Sequence, residues 1–207
     1  MRNRTWLAIV ASLAVAIVGF QIHTAWSQVR AAKKAERSAT GAAERAGMDS
    51  KKVTYAVAMV HGLGDHKVNG KVTFTETSDG VEIVAELTGL QPGEHGFHVH
   101  EFGDCSMADG KCAGGHFNPT NQPHAGPDDA KRHVGDLGNI KADGQGNASY
   151  KRTDKVISLN GKNSIIGRSV IVHAKPDDFK TQQPPGNAGD RIGCGTIGIG
   201  DPKMMGH

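Results

Sequence analysis

Among eleven histidines, six stand where spacing and neighbours suit metal chemistry. His98 and His100 lie two apart in the run Gly96-Phe-His-Val-His-Glu101. In an extended chain that spacing projects both imidazoles from one face, so two ligands arrive on one rigid support. His116, His124, His133 and Asp136 then follow at intervals of eight, nine and three, in segments rich in Gly and Pro. Asp136 is close enough to His133 to share an ion within one turn of chain. His173 closes the apolar run Val170-Ile-Val-His173. Three imidazoles with one carboxylate suit tetrahedral Zn²⁺, whereas a site built only of imidazoles suits Cu²⁺, which prefers tetragonal nitrogen ligation. A His-x-His pair alone carries little weight; six histidines gathered this way carry more. His23, His61, His66 and His207 show no such grouping and read as ordinary satisfied or surface side chains. His95 reads as structural, hydrogen-bonding between loops.

Such side chains need a scaffold, and from residue 53 the sequence is a series of short alternating strands. Val53–Val60, Lys71–Thr77, Val81–Leu87, Gly96–Glu101, Gly138–Ala142, Ala148–Arg152, Ile165–His173 and Gly195–Ile199 fit that pattern. Ser78-Asp79-Gly80 and Asp143-Gly144 mark hairpin turns. No amphipathic helix is evident. The expected class is all-β: an eight-stranded antiparallel Greek-key barrel or sandwich. The 28 glycines without a three-residue period agree with a turn-rich β chain and exclude a collagen. Residues 102–135 and 174–193 are too long for plain connectors; loops above ~12–15 residues without structure of their own are usually functional or disordered. Both are read as functional loops.

The first 52 residues differ in kind. They hold nine Lys/Arg against three Asp/Glu, leaving fifteen against eighteen in the rest, so the formal charge of +3 comes from the tail. Nothing in that distribution points to a nucleic-acid partner. Arg2 and Arg4 precede the apolar run Trp6–Phe20, and Ala25-Trp26-Ser27 offers small residues for a peptidase. Residues 1–27 are therefore expected to be a signal peptide cleaved after Ser27. The alternative is an uncleaved anchor, since Trp6–Ile22 reaches the lower limit of the ~17–25 residues a membrane span needs. Either way the rest of the chain is expected to be exported and periplasmic, with membrane contact only if the segment stays uncleaved. Residues 28–52, rich in Ala, Lys and Arg, read as a flexible linker or frayed helix. Residues 53–202 form the expected domain, and 203–207 a tail whose Met204-Met205-Gly206-His207 reads as a frayed terminus.

Five segments together resemble the copper–zinc superoxide dismutase family, in its exported bacterial branch. They are Gly96-Phe-His-Val-His-Glu-Phe-Gly-Asp104, Gly115-His-Phe-Asn-Pro119, His124-Ala-Gly-Pro127, Arg132-His-Val-Gly-Asp-Leu-Gly-Asn139 and Gly186-Asn-Ala-Gly-Asp-Arg-Ile-Gly-Cys-Gly-Thr-Ile-Gly198. They occur in the family's order over roughly residues 53–200. The resemblance implies one copper and one zinc per subunit. It makes His98, His100, His116 and His173 copper ligands, and His116, His124, His133 and Asp136 zinc ligands, with His116 bridging the two ions. It makes Asp177 the carboxylate linking His98 to His124, and Arg191 the group that guides and binds the anion. The implied reaction converts two superoxide anions to O₂ and H₂O₂ by alternate reduction and oxidation of the copper. The alternative is a non-catalytic copper- and zinc-binding domain on the same barrel; the full ligand set and Arg191 favour the enzyme.

The resemblance also pairs Cys105 with Cys194 and leaves Cys112 as a spare thiol that can compete. Two departures stand out. The segment Asp177–Arg191 is shorter than in the eukaryotic branch, its Asp178–Pro185 run lacks that branch's charged guidance residues, and Pro185 stands where that branch has a threonine near Arg191. A homodimer is left open, with no decisive interface signature.

Overall fold

The computed structural model describes residues 28–37 and 52–204. The expected signal peptide or anchor, residues 1–27, lies outside the described residues, as do residues 38–51 and 205–207. Residues 28–37 form an exposed helix, in keeping with the strong helix propensity of its Ala, Lys, Arg and Glu residues. No helix among the described residues is long and apolar enough to cross a membrane.

From residue 53 onward eight strands close into a barrel. They are β1 (Tyr55–Gly62), β2 (Asn69–Thr77), β3 (Gly80–Thr88), β4 (Gly93–His100), β5 (Asp136–Ala142), β6 (Ala148–Asp154), β7 (Ser169–His173) and β8 (Arg191–Ile199). The order around the barrel is β1-β2-β3-β6-β5-β4-β7-β8, with β8 paired to β1 and every neighbour antiparallel. The step from β3 to β4 crosses β6 and β5, as a Greek key requires.

Two-residue periodicity decides what each face carries. Along β3, Val81, Ile83, Ala85 and Leu87 point into the core while Glu82 and Glu86 point out. β4 and β7 are instead buried on both faces. Phe97 and Val99 of β4, and Val170 and Val172 of β7, join the barrel core. His98, His100 and His173 therefore project from the outer face, where the two long loops cover them. The run expected as one strand from Ile165 to His173 is broken. Gly167 takes φ +77°, a left-handed conformation that interrupts a strand, and Ile165 plugs the core from a turn.

The β4–β5 loop, residues 101–135, is laid down in two extended passes over β4. Glu101 N–H donates to Gly115 O and Phe117 N–H to Val99 O, each at 2.9 Å, and Val99 N–H donates to Gly135 O at 2.9 Å. Cys105 of this loop is bonded to Cys194 of β8 across 89 residues. Closing a loop of that size is worth up to ~4–5 kcal/mol in the chain-entropy model. A small apolar cluster of Leu63, Ala113, Ile171 and Cys194 lies beside it. Cys112 is a free thiol, half-buried, donating to Asp104 O at 2.9 Å.

Candidate metal centre

Register irregularities sit next to the ligand positions. β4 and β5 slip between Gly96 and His98, and β7 and β8 slip between Val172 and His173. Such bulges re-aim side chains locally. Asp136 opens β5, His173 ends β7 and Arg191 opens β8, so each lies at a terminus of its strand. His116 comes from the loop pass beside β4, where it bridges to His100. His124 and His133 come from irregular chain further along the same loop.

Among the described residues two groups can hold a metal ion. One is His98, His100, His116 and His173; the other is His116, His124, His133 and Asp136. His116 belongs to both. Its ring centroid lies 4.1 Å from that of His98, 5.0 Å from His100, 5.3 Å from His124 and 5.5 Å from His133. Its Nδ1 donates to Asp136 Oδ1 at 2.8 Å, which leaves Nε2 for the other group.

The donor atoms fit metals on two counts. His98 Nδ1 and His124 Nδ1 are buried without a hydrogen bond, although the latter lies 3.1 Å from Asp136 Oδ1. An unpartnered buried ring nitrogen costs free energy unless something takes its lone pair. Asp136 Oδ1 has the Nδ1 atoms of His116, His124 and His133 at 2.8, 3.1 and 3.2 Å. A tetrahedron with zinc bonds of ~2.0–2.1 Å has edges of about 3.3–3.4 Å, so these four atoms already bracket a zinc-sized point. In the other group, His100 Nε2 and His173 Nε2 face each other at 3.4 Å. Their Nδ1 atoms donate to Gly114 O at 3.0 Å and Gly189 O at 3.2 Å. Those bonds fix the tautomer and leave both Nε2 lone pairs free.

Asp177 ties the groups together. Its Oδ2 accepts from His98 Nε2 at 2.6 Å and its Oδ1 from His124 Nε2 at 2.9 Å. Burial opposes ionisation of Asp136, but hydrogen bonds from His116 and His133 and the close imidazole of His124 outweigh it and hold the carboxyl far below its usual range. Asp177 is likewise lowered, by His124 and His98 against burial. Burial, then the charge of His98, pushes His116 down to about 3; burial also drives His100 and His173 well below the ordinary imidazole value. His124 moves the other way. Asp136 and Asp177 overcome its burial and raise it to about 9.

His100, His116 and His173 border a cleft of about 500 Å³, with Arg191, Pro184 and Pro185 also on its wall. Arg191 is half-buried and held from two sides: Nη1 donates to Gly110 O at 2.6 Å and Nη2 to Gly114 O at 2.7 Å. Both carbonyls belong to the disulfide-bonded loop. His66, read from the sequence as an ordinary side chain, also lines this cleft, as does Lys111, whose ammonium pairs with Asp109 at 2.9 Å. No spacing signal ties either to the histidine set. The ring nitrogens of His95 lie 2.8 Å from His173 O and from Gln91 O, a structural role as expected, but one that links β4 to β7 and to the preceding turn rather than loop to loop. Asn139 ends one of the quoted segments without an assigned role; its amide binds the backbone of Asp177, accepting from N–H at 2.7 Å and donating to C=O at 3.0 Å.

Residues 68–197 match the family model for copper/zinc superoxide dismutase. The chain is 45% identical over 152 residues to superoxide dismutase [Cu-Zn] 3 of Arabidopsis thaliana, covering 70% of this chain and 90% of that protein. It is 48% identical to superoxide dismutase [Cu-Zn] A of Xenopus laevis, covering 97% of that protein. A solved structure of the clock protein EA4 superposes with a TM-score of 0.66 at 43% identity, over 72% of this chain and 96% of that one.

Proposed function

The chain belongs to the copper/zinc superoxide dismutase family, and from that premise we propose how its residues divide the work of converting superoxide to O₂ and H₂O₂. His98, His100, His116 and His173 hold copper; His116, His124, His133 and Asp136 hold zinc. The observation that carries this division is the make-up of the donor sets: four imidazoles, three of them bordering a cleft, against three imidazoles and a buried carboxylate. When bound, copper supplies the one-electron redox couple and zinc a fixed positive charge.

The remaining roles belong to the chain itself. Desolvation keeps His100 and His173 neutral, so their Nε2 lone pairs are available across the neutral pH range. Asp177 orients His98 and His124 through their outer nitrogens. Arg191 spends two of its five N–H donors on Gly110 and Gly114 and keeps the others for a small anion in the cleft. Formation of H₂O₂ consumes two protons, and His116 Nε2 is the ring position at which the chain can hold and return one. A cytochrome c competition assay on protein loaded with both metals tests the reading: dismutation at both-metal occupancy is expected, and full occupancy without activity overturns it.

The short segment from Asp177 to Arg191, Cys105 directly after Gly103-Asp104, and the Arg2/Arg4 apolar leader support placement in the exported bacterial branch, cleaved after Ser27 and periplasmic. A mature N-terminus at Gln28 is the expected outcome of sequencing the exported product. Exposed Phe102 and Ile199 support a homodimer; their segments are joined by the Thr196 Oγ1 bond to Gly103 O at 2.6 Å.

A further inference from the structure

One polar side chain of the β7–β8 loop reaches across to the β4–β5 loop. Gln182, five residues after Asp177, reaches back across 58 positions to His124. Its Oε1 accepts from His124 N–H at 2.9 Å, and its Nε2 donates to His124 C=O at 2.9 Å. Nε2 also donates to Lys180 O at 3.0 Å. That third bond fixes the amide orientation, because a flipped amide would set Oε1 against two carbonyl oxygens. One side chain thus provides the pairing that a neighbouring strand would give, at a residue in irregular chain.

The other tethers of this stretch lie to either side of His124. Gln122 is held by the amide of Asn118, with bonds of 3.0 and 2.9 Å. Ala125 N–H donates to Asp136 Oδ2 at 3.2 Å. Gln182 therefore grips the His124 backbone independently of the groups that would touch the ion. The same loop grips the ring, since Asp177 Oδ1 accepts from His124 Nε2. Ring and backbone of one residue are held from a single loop, and Nδ1 is left aimed beside Asp136 without a hydrogen bond.

We propose that Gln182 is a positioning residue for the metal on the zinc side, fixing the main chain of His124 so that its Nδ1 keeps the direction a ligand needs. The proposal rests on the reading of His124 as a zinc ligand. Gln182 is exposed, so its replacement opens no core cavity and leaves the barrel intact. Cobalt(II) is the probe: copper-loaded, zinc-free protein is titrated with it, following the visible ligand-field bands and competing with a chelator. Gln182→Ala is expected to weaken cobalt binding about 10-fold and to shift the bands at saturation. Gln182→Glu, which keeps the acceptor for His124 N–H but loses the donor, is expected to fall between. His124→Ala separates the two claims and is expected to abolish the tetrahedral bands. If Gln182→Ala binds cobalt within two-fold of the parent with unchanged bands while His124→Ala abolishes them, the positioning role is overturned and the zinc-site reading stands. If His124→Ala leaves the bands unchanged, both are overturned. A loss of melting temperature alone, with affinity and bands unmoved, also counts against the proposal.

Discussion

On one side, His116 joins three further imidazoles in a set with no carboxylate, and three of the four border the cleft. On the other side, a fully buried Asp136 draws three imidazole nitrogens to one oxygen, and neither it nor His124 or His133 lines that cleft. The first group is shaped by desolvation, which holds His100, His116 and His173 in their neutral forms. The second is shaped by paired charge, which ionises Asp136 and raises His124. The contrast teaches that access and charge separate the two roles more than ligand number does. An open, neutral imidazole set suits an ion that must meet substrate, and a closed set with a carboxylate suits one that must stay.

The most severe way to break this comparison is to remove the ring both groups share. His116→Ala is expected to lower dismutation by more than ~100-fold, beyond the range typical of outer-sphere changes, and to weaken both metals together. Metal analysis after dialysis checks it; loss confined to one metal would mean that the groups are not coupled through this ring. Asp177→Asn comes next. An amide oxygen can accept from His98 or His124 but cannot serve both as an ionised carboxylate does, so affinity is expected to fall ~10–100-fold, more on the zinc side. Chelator competition with each metal reads the difference.

A pH titration sharpens the contrast without mutation. His124 of the metal-free protein holds its proton up to about 9, and zinc must displace that proton to bind. Lowering the pH from about 9 toward 7 is therefore expected to cost about tenfold in zinc affinity per pH unit. Its raised value also stabilises the metal-free fold, fully below the ordinary imidazole value and progressively less as pH rises toward about 9. His116, pushed down to about 3, contributes no such slope on the copper side over this range. Calorimetry in buffers of different ionisation enthalpy would count the released protons. The smallest effect is expected from Arg191→Ala, which should keep both metals and lower the rate by about tenfold, with a flatter dependence on ionic strength. An unchanged salt dependence would assign anion guidance to other cleft charges, such as Lys111.

Period-two patterning and His-x-His spacing made the barrel and the pair on β4 legible in the sequence, because both depend on local geometry. Asp136, His116 and His124 were legible through the quoted segments, which preserve the order of groups that meet only in three dimensions. Gln182 and Asn139 were not. Each acts through a carboxamide on backbone groups 58 and 38 positions away, and a lone amide in a polar loop has no periodicity to betray its partner. The cleft position of His66 was hidden for the same reason: its local sequence is an ordinary turn, and only barrel closure brings it to the cleft that Arg191 also lines. Ile165 failed in the opposite sense, since an apolar run read as strand is cut by one left-handed glycine.

One measurement bears on the shared ring most directly. With copper(II) in the first group and paramagnetic cobalt(II) in the second, a common imidazolate couples the two electron spins. The copper electron paramagnetic resonance signal, present in the copper–zinc protein, should then vanish on cobalt substitution and return when His116 is replaced with the copper retained. A copper signal of full intensity in the copper–cobalt protein would contradict the account.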